Sequence, residues 1–205
     1  VNYLTRHPGE IALMLWQHVT LVGISLAIAF AIALPLGTFV ARSRRFGGAV
    51  LAVLTTIYTI PSLALLALLV PLLGIGAPTA IVALVAYAQL ILVRNVAEGL
   101  RGVPNATIDA ARGLGMTPRQ IYLRVELPQA APVIVGGLRL ATIVLISLAT
   151  IASWIAAGGM GTIILYGLQH DDPSRAILGS AFAGGLAIGA NAFFRAIEVR
   201  LRAVS

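Results

Sequence analysis

Uncharged apolar runs alternate with short polar stretches along the 205 residues, and the runs have the length of membrane-spanning helices. Residues 19–41 carry no charge, and about 20 mostly apolar residues suffice to cross a bilayer. Pro35 predicts a kink in this run. Residues 46–93 are also uncharged but too long for one crossing. Their middle, "PLLGIGAP" (71–78), concentrates proline and glycine and predicts a tight turn between two helices. The run therefore divides into spans at about 47–71 and 78–94. Residues 129–151, interrupted only by Arg139, and 176–194 complete five predicted spans. The fold class is an all-α polytopic membrane protein, a single transmembrane domain over 1–205. Between the last two spans lies "SWIAAGGMGTIILYGLQHDDPSR", a Gly-rich loop with one short apolar piece that is a candidate to dip into the membrane.

One polar island breaks the pattern. "DAARGLGMTPRQIYLRVELP" (109–128) holds Arg112, Arg119 and Arg124 together with Asp109 and Glu126. Its local grammar describes two short helices meeting at a corner. Pro104 and Asn105 start the first, with Asn a good N-cap, and Asp109 lies near its positive end. Ala110 and Ala111 are small enough for another surface to approach the backbone closely. Gly113 and Gly115 stop the helix, and Gly115 suits a left-handed position beyond its end. Thr117 then caps the second helix, Pro118 fits its first position, and Gln120 completes a capping box. That helix is predicted to reach Leu127 and to close at Pro128.

Composition sharpens the membrane assignment. Hydrophobic residues make up 59% of the chain and charged residues 10%, with a mean hydropathy of +0.97; soluble domains carry about 25% charged residues. The net charge of +7 takes a topological reading rather than a nucleic-acid one, because the basic residues, all Arg, fall in particular loops. Cytoplasmic loops are enriched in Lys and Arg. Arg42, Arg44 and Arg45, then Arg94, Arg101, Arg112, Arg119 and Arg124, then Arg195, Arg200 and Arg202 fall on one side of a five-span layout. Arg139 is expected to snorkel the same way. Only Arg6 and Arg175 lie opposite. The N-terminus is expected outside and the C-terminus in the cytoplasm, together with 42–46 and the loop 101–128. A chain without Lys holds no GxxxxGK[ST] phosphate loop, so ATP hydrolysis is expected on another polypeptide. The absence of Cys excludes disulfides and thiolate metal sites. "VNYLTRHPGE" lacks the basic-then-apolar pattern of a cleavable signal.

The spacing D-A-A-x3-G-x9-V-x-L-P, through Asp109, Ala110, Ala111, Gly115, Val125, Leu127 and Pro128, resembles the EAA motif of ABC-importer permeases. That motif is Glu-Ala-Ala, three residues, Gly, nine residues, Ile-x-Leu-Pro. Every interval agrees; Asp for Glu and Val for Ile are the departures. The resemblance implies a methionine-permease-like fold with a cytoplasmic coupling helix between the third and fourth spans, seated in a cleft of an ATPase subunit. It also implies a set of partners: an ABC ATPase dimer carrying ATP and Mg, a second permease copy or paralogue, and an extracytoplasmic substrate-binding protein. No cofactor is implied on this chain, and its location would be a bacterial or archaeal plasma membrane. Arg112 and Arg119 are expected to add charge-assisted contacts at the ATPase. Three stretches, "YTIPSLALLALL", "RGLGMTPRQIYLRVELPQAAPVIVGGLRLA" and "AAGGMGTIILYGL", look like the osmoprotectant branch, whose cargoes are glycine betaine, choline, carnitine or proline betaine. Methionine-import permeases share the five-span core and similar features.

Other residues carry weaker signals. Tyr58, Tyr87, Trp154 and Tyr166 could offer aromatic faces to a quaternary ammonium, though interfacial belts use the same residues. Pro61 and the "AGGMG" glycines Gly158 and Gly159 are further pathway candidates, the glycines as a flexible gate. His7, His18 and His170 lack partners at ligand spacing and read as solvated or interfacial. Ala181, Gly185 and Gly189 form a small-residue ridge suited to helix packing. No nucleophile elbow or carboxylate pair suggests an enzyme. An ion-coupled carrier would keep acidic groups within its spans, and none is predicted there; a scaffold protein would not need the spaced island.

Overall fold

The computed structural model describes residues 2–43 and 45–202; Val1, Arg44 and residues 203–205 lie outside the described residues. Among the described residues the regular elements are all helical: α1 (Asn2–Arg6), α2 (Pro8–Arg42), α3 (Gly47–Thr59), α4 (Ser62–Leu73), α5 (Ala77–Arg101), α6 (Asn105–Gly113), α7 (Pro118–Ile121), α8 (Leu127–Ile151), α9 (Gly161–Gln169) and α10 (Pro173–Arg202). A π turn, Tyr122–Glu126, joins α7 to α8, and a 3₁₀ turn, Ala152–Ile155, follows α8. Four helical runs are long and apolar enough to cross a membrane, and the bent pair α3–α4 brings the number to as many as five.

α5 is the most buried of these runs and packs against α2 and α8. The contacts rest on small residues. Ala29, Ala33, Ala88, Ala97, Ala141 and Ala149 are almost wholly buried, as suits helices whose association in lipid depends on close van der Waals fit. A Cβ at Gly37 would lie 2.6 Å from that of Val96; only glycine lets α2 and α5 approach this closely. Large side chains such as Trp16, Leu72, Ile188 and Phe193 point outward, where lipid is their solvent.

Several expectations are corrected. The run 47–71 is not one helix: it breaks at Ile60–Pro61, and α3 and α4 meet at 94°. Pro61 disfavours helical geometry in the residue before it, and Ile60 is extended at ψ 128°. The hydroxyl of Tyr87 donates to the freed Ile60 carbonyl. The turn falls within 71–78 as expected, at Gly74 and Gly76, both at positive φ, although Pro71 itself still lies inside α4. Pro128 does not close a helix: α7, the π turn and α8 form one continuous run. The Leu127 N–H reaches back five residues to the Tyr122 carbonyl, a register shift that accommodates the donor missing at Pro128. Arg139 does not stand alone in the membrane. Its guanidinium lies 3.4 Å from the carboxylate of Glu198, which also accepts from Arg202 at 2.6 Å. α10 continues as helix past 194, and it carries the buried Glu198 to within van der Waals reach of Gly136 on α8.

Candidate functional site

The polar island folds into a compact corner. α6 begins at Asn105 with Pro104 in the capping position, so Asn105 is the first helical residue and not the cap. The far end follows the glycine-closed pattern. Gly115 sits at φ +78°, its N–H donates to the Arg112 carbonyl (2.9 Å), and the Met116 N–H donates to Ala111 (3.2 Å). These two bonds satisfy carbonyls that a helix end otherwise leaves unpaired. Thr117 follows at once: its Oγ1 accepts from Gln120 N–H at 3.3 Å, and Gln120 Oε1 accepts from Thr117 N–H at 2.8 Å. Two helix termini are thus completed within ten residues of sequence.

Burial divides the predicted docking residues into two sets. Asp109, Ala110, Arg112, Gly115 and Arg119 are exposed. Ala111 is 5% exposed, so its small side chain serves packing within the chain and offers no open face to a partner. Val125 and Leu127 are half-buried, and Leu127 packs beside Val96, Leu100 and Ala130. Pro128 is exposed at the start of α8. Arg112 is already paired with Asp109 at 2.9 Å, an exposed contact of the kind worth about 0–1 kcal/mol. Sequence reasoning missed Leu114, which is 83% exposed at the tip of the corner. The signal was an apolar residue set between two glycines inside a polar island.

Behind the corner lies a cavity of about 540 Å³ whose lining includes Arg42, Met116, Pro118 and Glu126. The end of α2 borders it and is tied to the π turn. Arg42 donates to Glu126 at 2.8 Å, its guanidinium lies over the Tyr122 ring, and the Thr38 and Tyr122 hydroxyls share a hydrogen bond of 2.8 Å.

The opposite end of the molecule holds the Gly-rich loop 156–160. Gly158 and Gly159 adopt φ of +79° and +80°, and the loop is pinned rather than loose. The Gly159 N–H donates to Gln17 Oε1 at 3.1 Å. Met160 N–H donates to His18 Nδ1 at 3.3 Å, leaving Nε2 to donate to the Ile146 carbonyl at 3.2 Å. One ring nitrogen accepts and the other donates, so the imidazole is neutral with its proton on Nε2. His18 is fully buried; the interfacial reading is corrected, because the loop returns over the helix and covers it. Tyr58 and Tyr87 meet edge to face at 5.8 Å beside the Pro61 break. Tyr87 is 5% exposed with its hydroxyl engaged, whereas Tyr58 and Trp154 are open. Tyr166 instead stacks on His170 and receives Arg175 over its ring. Among the described residues, no group of three or more His, Asp or Glu is placed to hold a metal ion.

A profile of the family described as "Binding-protein-dependent transport system inner membrane component" matches residues 33–203. The chain belongs to that family. This permease is 40% identical over 188 residues to a choline transport system permease protein of Bacillus subtilis, covering 92% of this chain and 87% of the relative. It is 35% identical to a carnitine transport permease protein of Listeria monocytogenes, covering 88% and 83%. It is also 35% identical to an osmoprotectant import permease protein of Salmonella typhimurium, covering 92% and 90%. Among solved structures, a chain of the MetNI methionine ABC transporter in an inward-facing conformation matches with a TM-score of 0.78 and 26% identity, covering 96% of each. The permease is thus a multi-pass inner-membrane component.

Proposed function

We propose that this permease forms half of the translocation pathway of an ATP-driven importer for quaternary-amine osmoprotectants such as glycine betaine, choline and carnitine. The relatives that transport such compounds support this cargo class, at 35–40% identity across about nine-tenths of the chain. The methionine transporter chain stands at 26%. The chain itself is non-catalytic in this reading. ATP and Mg bind a cytoplasmic ATPase dimer, an extracytoplasmic binding protein delivers cargo, and a second copy or a paralogue completes the pathway. The exposed set Asp109, Ala110, Arg112, Gly115 and Arg119 docks the corner into the ATPase, with Leu114 as its apolar tip, while Ala111, Val125, Leu127 and Pro128 fix the corner to the bundle. Tyr58 and Trp154, near Pro61 and the Gly158–Gly159 loop, contact cargo in passing, with Tyr87 bracing Tyr58.

The chemistry of the cargo fits. A permanently charged ammonium is poorly held by spans in which the buried carboxylate of Glu198 is already paired with arginine, so tight selection belongs upstream, where an aromatic cage desolvates it. The test is radiolabelled uptake in proteoliposomes holding the permease, ATPase and binding protein. Uptake of betaine or choline, with each competing against the other, is expected. Methionine uptake untouched by either compound would reject the cargo assignment.

A further inference from the structure

Polar contacts join α2 to the run 118–160 at both of its ends. At the outer end, Gln17 and His18 hold Gly159, Met160 and the Ile146 carbonyl. At the other end, Thr38 and Arg42 hold Tyr122 and Glu126. His18 and Thr38 are twenty residues apart in one helix, or about 30 Å at 1.5 Å per residue. That is the thickness of a bilayer's hydrocarbon core.

Each end grips a mechanically distinctive place. The inner contacts fall within the π turn, between the corner and α8. The outer contacts fall on left-handed glycines: a Cβ at Gly158 would meet Gln17 Oε1 at 2.7 Å, and one at Gly159 would meet His18 Nδ1 at 3.0 Å. The two side chains therefore fill the space these glycines leave open. The direct route along α8 is soft at its start, where the π turn precedes Pro128 and Pro132 and the two prolines remove two ladder donors within five residues. α2 lacks one such donor, at Pro35, and Gly37 is packed hard against Val96 just beyond it.

We propose that α2 is a strut that carries movement of the α6–α7 corner across the membrane to the outer loop 157–161. Tyr122 and Glu126 pass the displacement to Thr38 and Arg42, and Gln17 and His18 deliver it to the loop. These six act as positioning residues. The inference rests on the proposed docking of the corner to an ATPase.

The chain has no native cysteine, so Ala157→Cys provides a single label in the half-buried outer loop. The whole complex is reconstituted, and labelling by a membrane-impermeant maleimide is compared without nucleotide and after trapping with ATP and vanadate. In the otherwise native background the two rates should differ. Adding Thr38→Val, Tyr122→Phe and Glu126→Gln should shrink that difference by about fivefold or more, the size of a typical coupling between sites, while ATP hydrolysis continues. Restoring the hydroxyl as Thr38→Ser, with Tyr122 and Glu126 native, should recover it. Arg42→Gln, at an exposed position where folding is not at stake, should reduce it in the same direction. A full nucleotide-dependent difference in both the triple variant and Arg42→Gln overturns the strut. If the Ala157→Cys complex takes up no cargo and hydrolyses no ATP, the docking reading fails and the strut falls with it.

Discussion

A methyl group added to Gly161 would lie 2.0 Å from the Thr150 carbonyl oxygen. That atom belongs to the backbone, so the strain has no flexible side chain to absorb it. Gly161→Ala is expected to destabilise the permease by about 1–3 kcal/mol or more, lowering its melting temperature in detergent. His18→Leu should have a cost of similar order. It leaves the buried Met160 N–H without an acceptor, a loss of about 1–3 kcal/mol, and the same melts should show it. Neither effect was legible in the sequence. His18 and Met160 are 142 residues apart, and a single histidine near a span end reads the same whether solvated or covered. Ala111 is a related case: the motif marks it as small, and only the structure shows that it is buried.

Among the elements, the corner was legible because both of its helix ends are completed locally. Gly115 and the Thr117–Gln120 pair needed no distant partner, and the structure places both as their sequence suggests. The π turn was not legible, because Pro128 looks like a stop and only the register shift around it keeps the run helical. The bend at Pro61 likewise depends on Tyr87 arriving from α5 to take the Ile60 carbonyl. One substitution probes the corner as an element. Gly115→Leu forces a branched side chain into the left-handed region, at about 1–2 kcal/mol. Membrane insertion is expected to be unchanged, and cargo-stimulated ATP hydrolysis in the assembled complex is expected to fall. Hydrolysis at the native level would argue against the corner as the docking element.

Across the whole molecule, the long apolar stretches were legible from hydropathy, whereas the break at Pro61 and the pairing of Arg139 with Glu198 were not. Glu198 lies beyond the last predicted span, on the part of α10 that continues past 194. The arginine distribution leads us to propose that the corner is cytoplasmic and the Gly158–Gly159 loop is outside. With no native cysteine to interfere, Thr117→Cys in intact cells should resist an impermeant maleimide and react once the cells are opened. Labelling from outside would invert the topology.

The internally completed hydrogen bonds of the corner also set the tempo of assembly. A segment that must fold as it binds surrenders backbone freedom at the moment of contact, and each rotamer-rich side chain it immobilises adds about 0.5–1.5 kcal/mol. Here both helix ends are closed in advance, and Ala110, Gly113 and Gly115 have almost no rotamers to lose. Arg112 is already held by Asp109, which leaves Arg119 as the long charged side chain to be ordered. Leu114 is the single large apolar side chain to be stilled. A partner would therefore meet a finished shape, and association should proceed at the rate of a rigid encounter, with differences between variants read in how long the complex lasts.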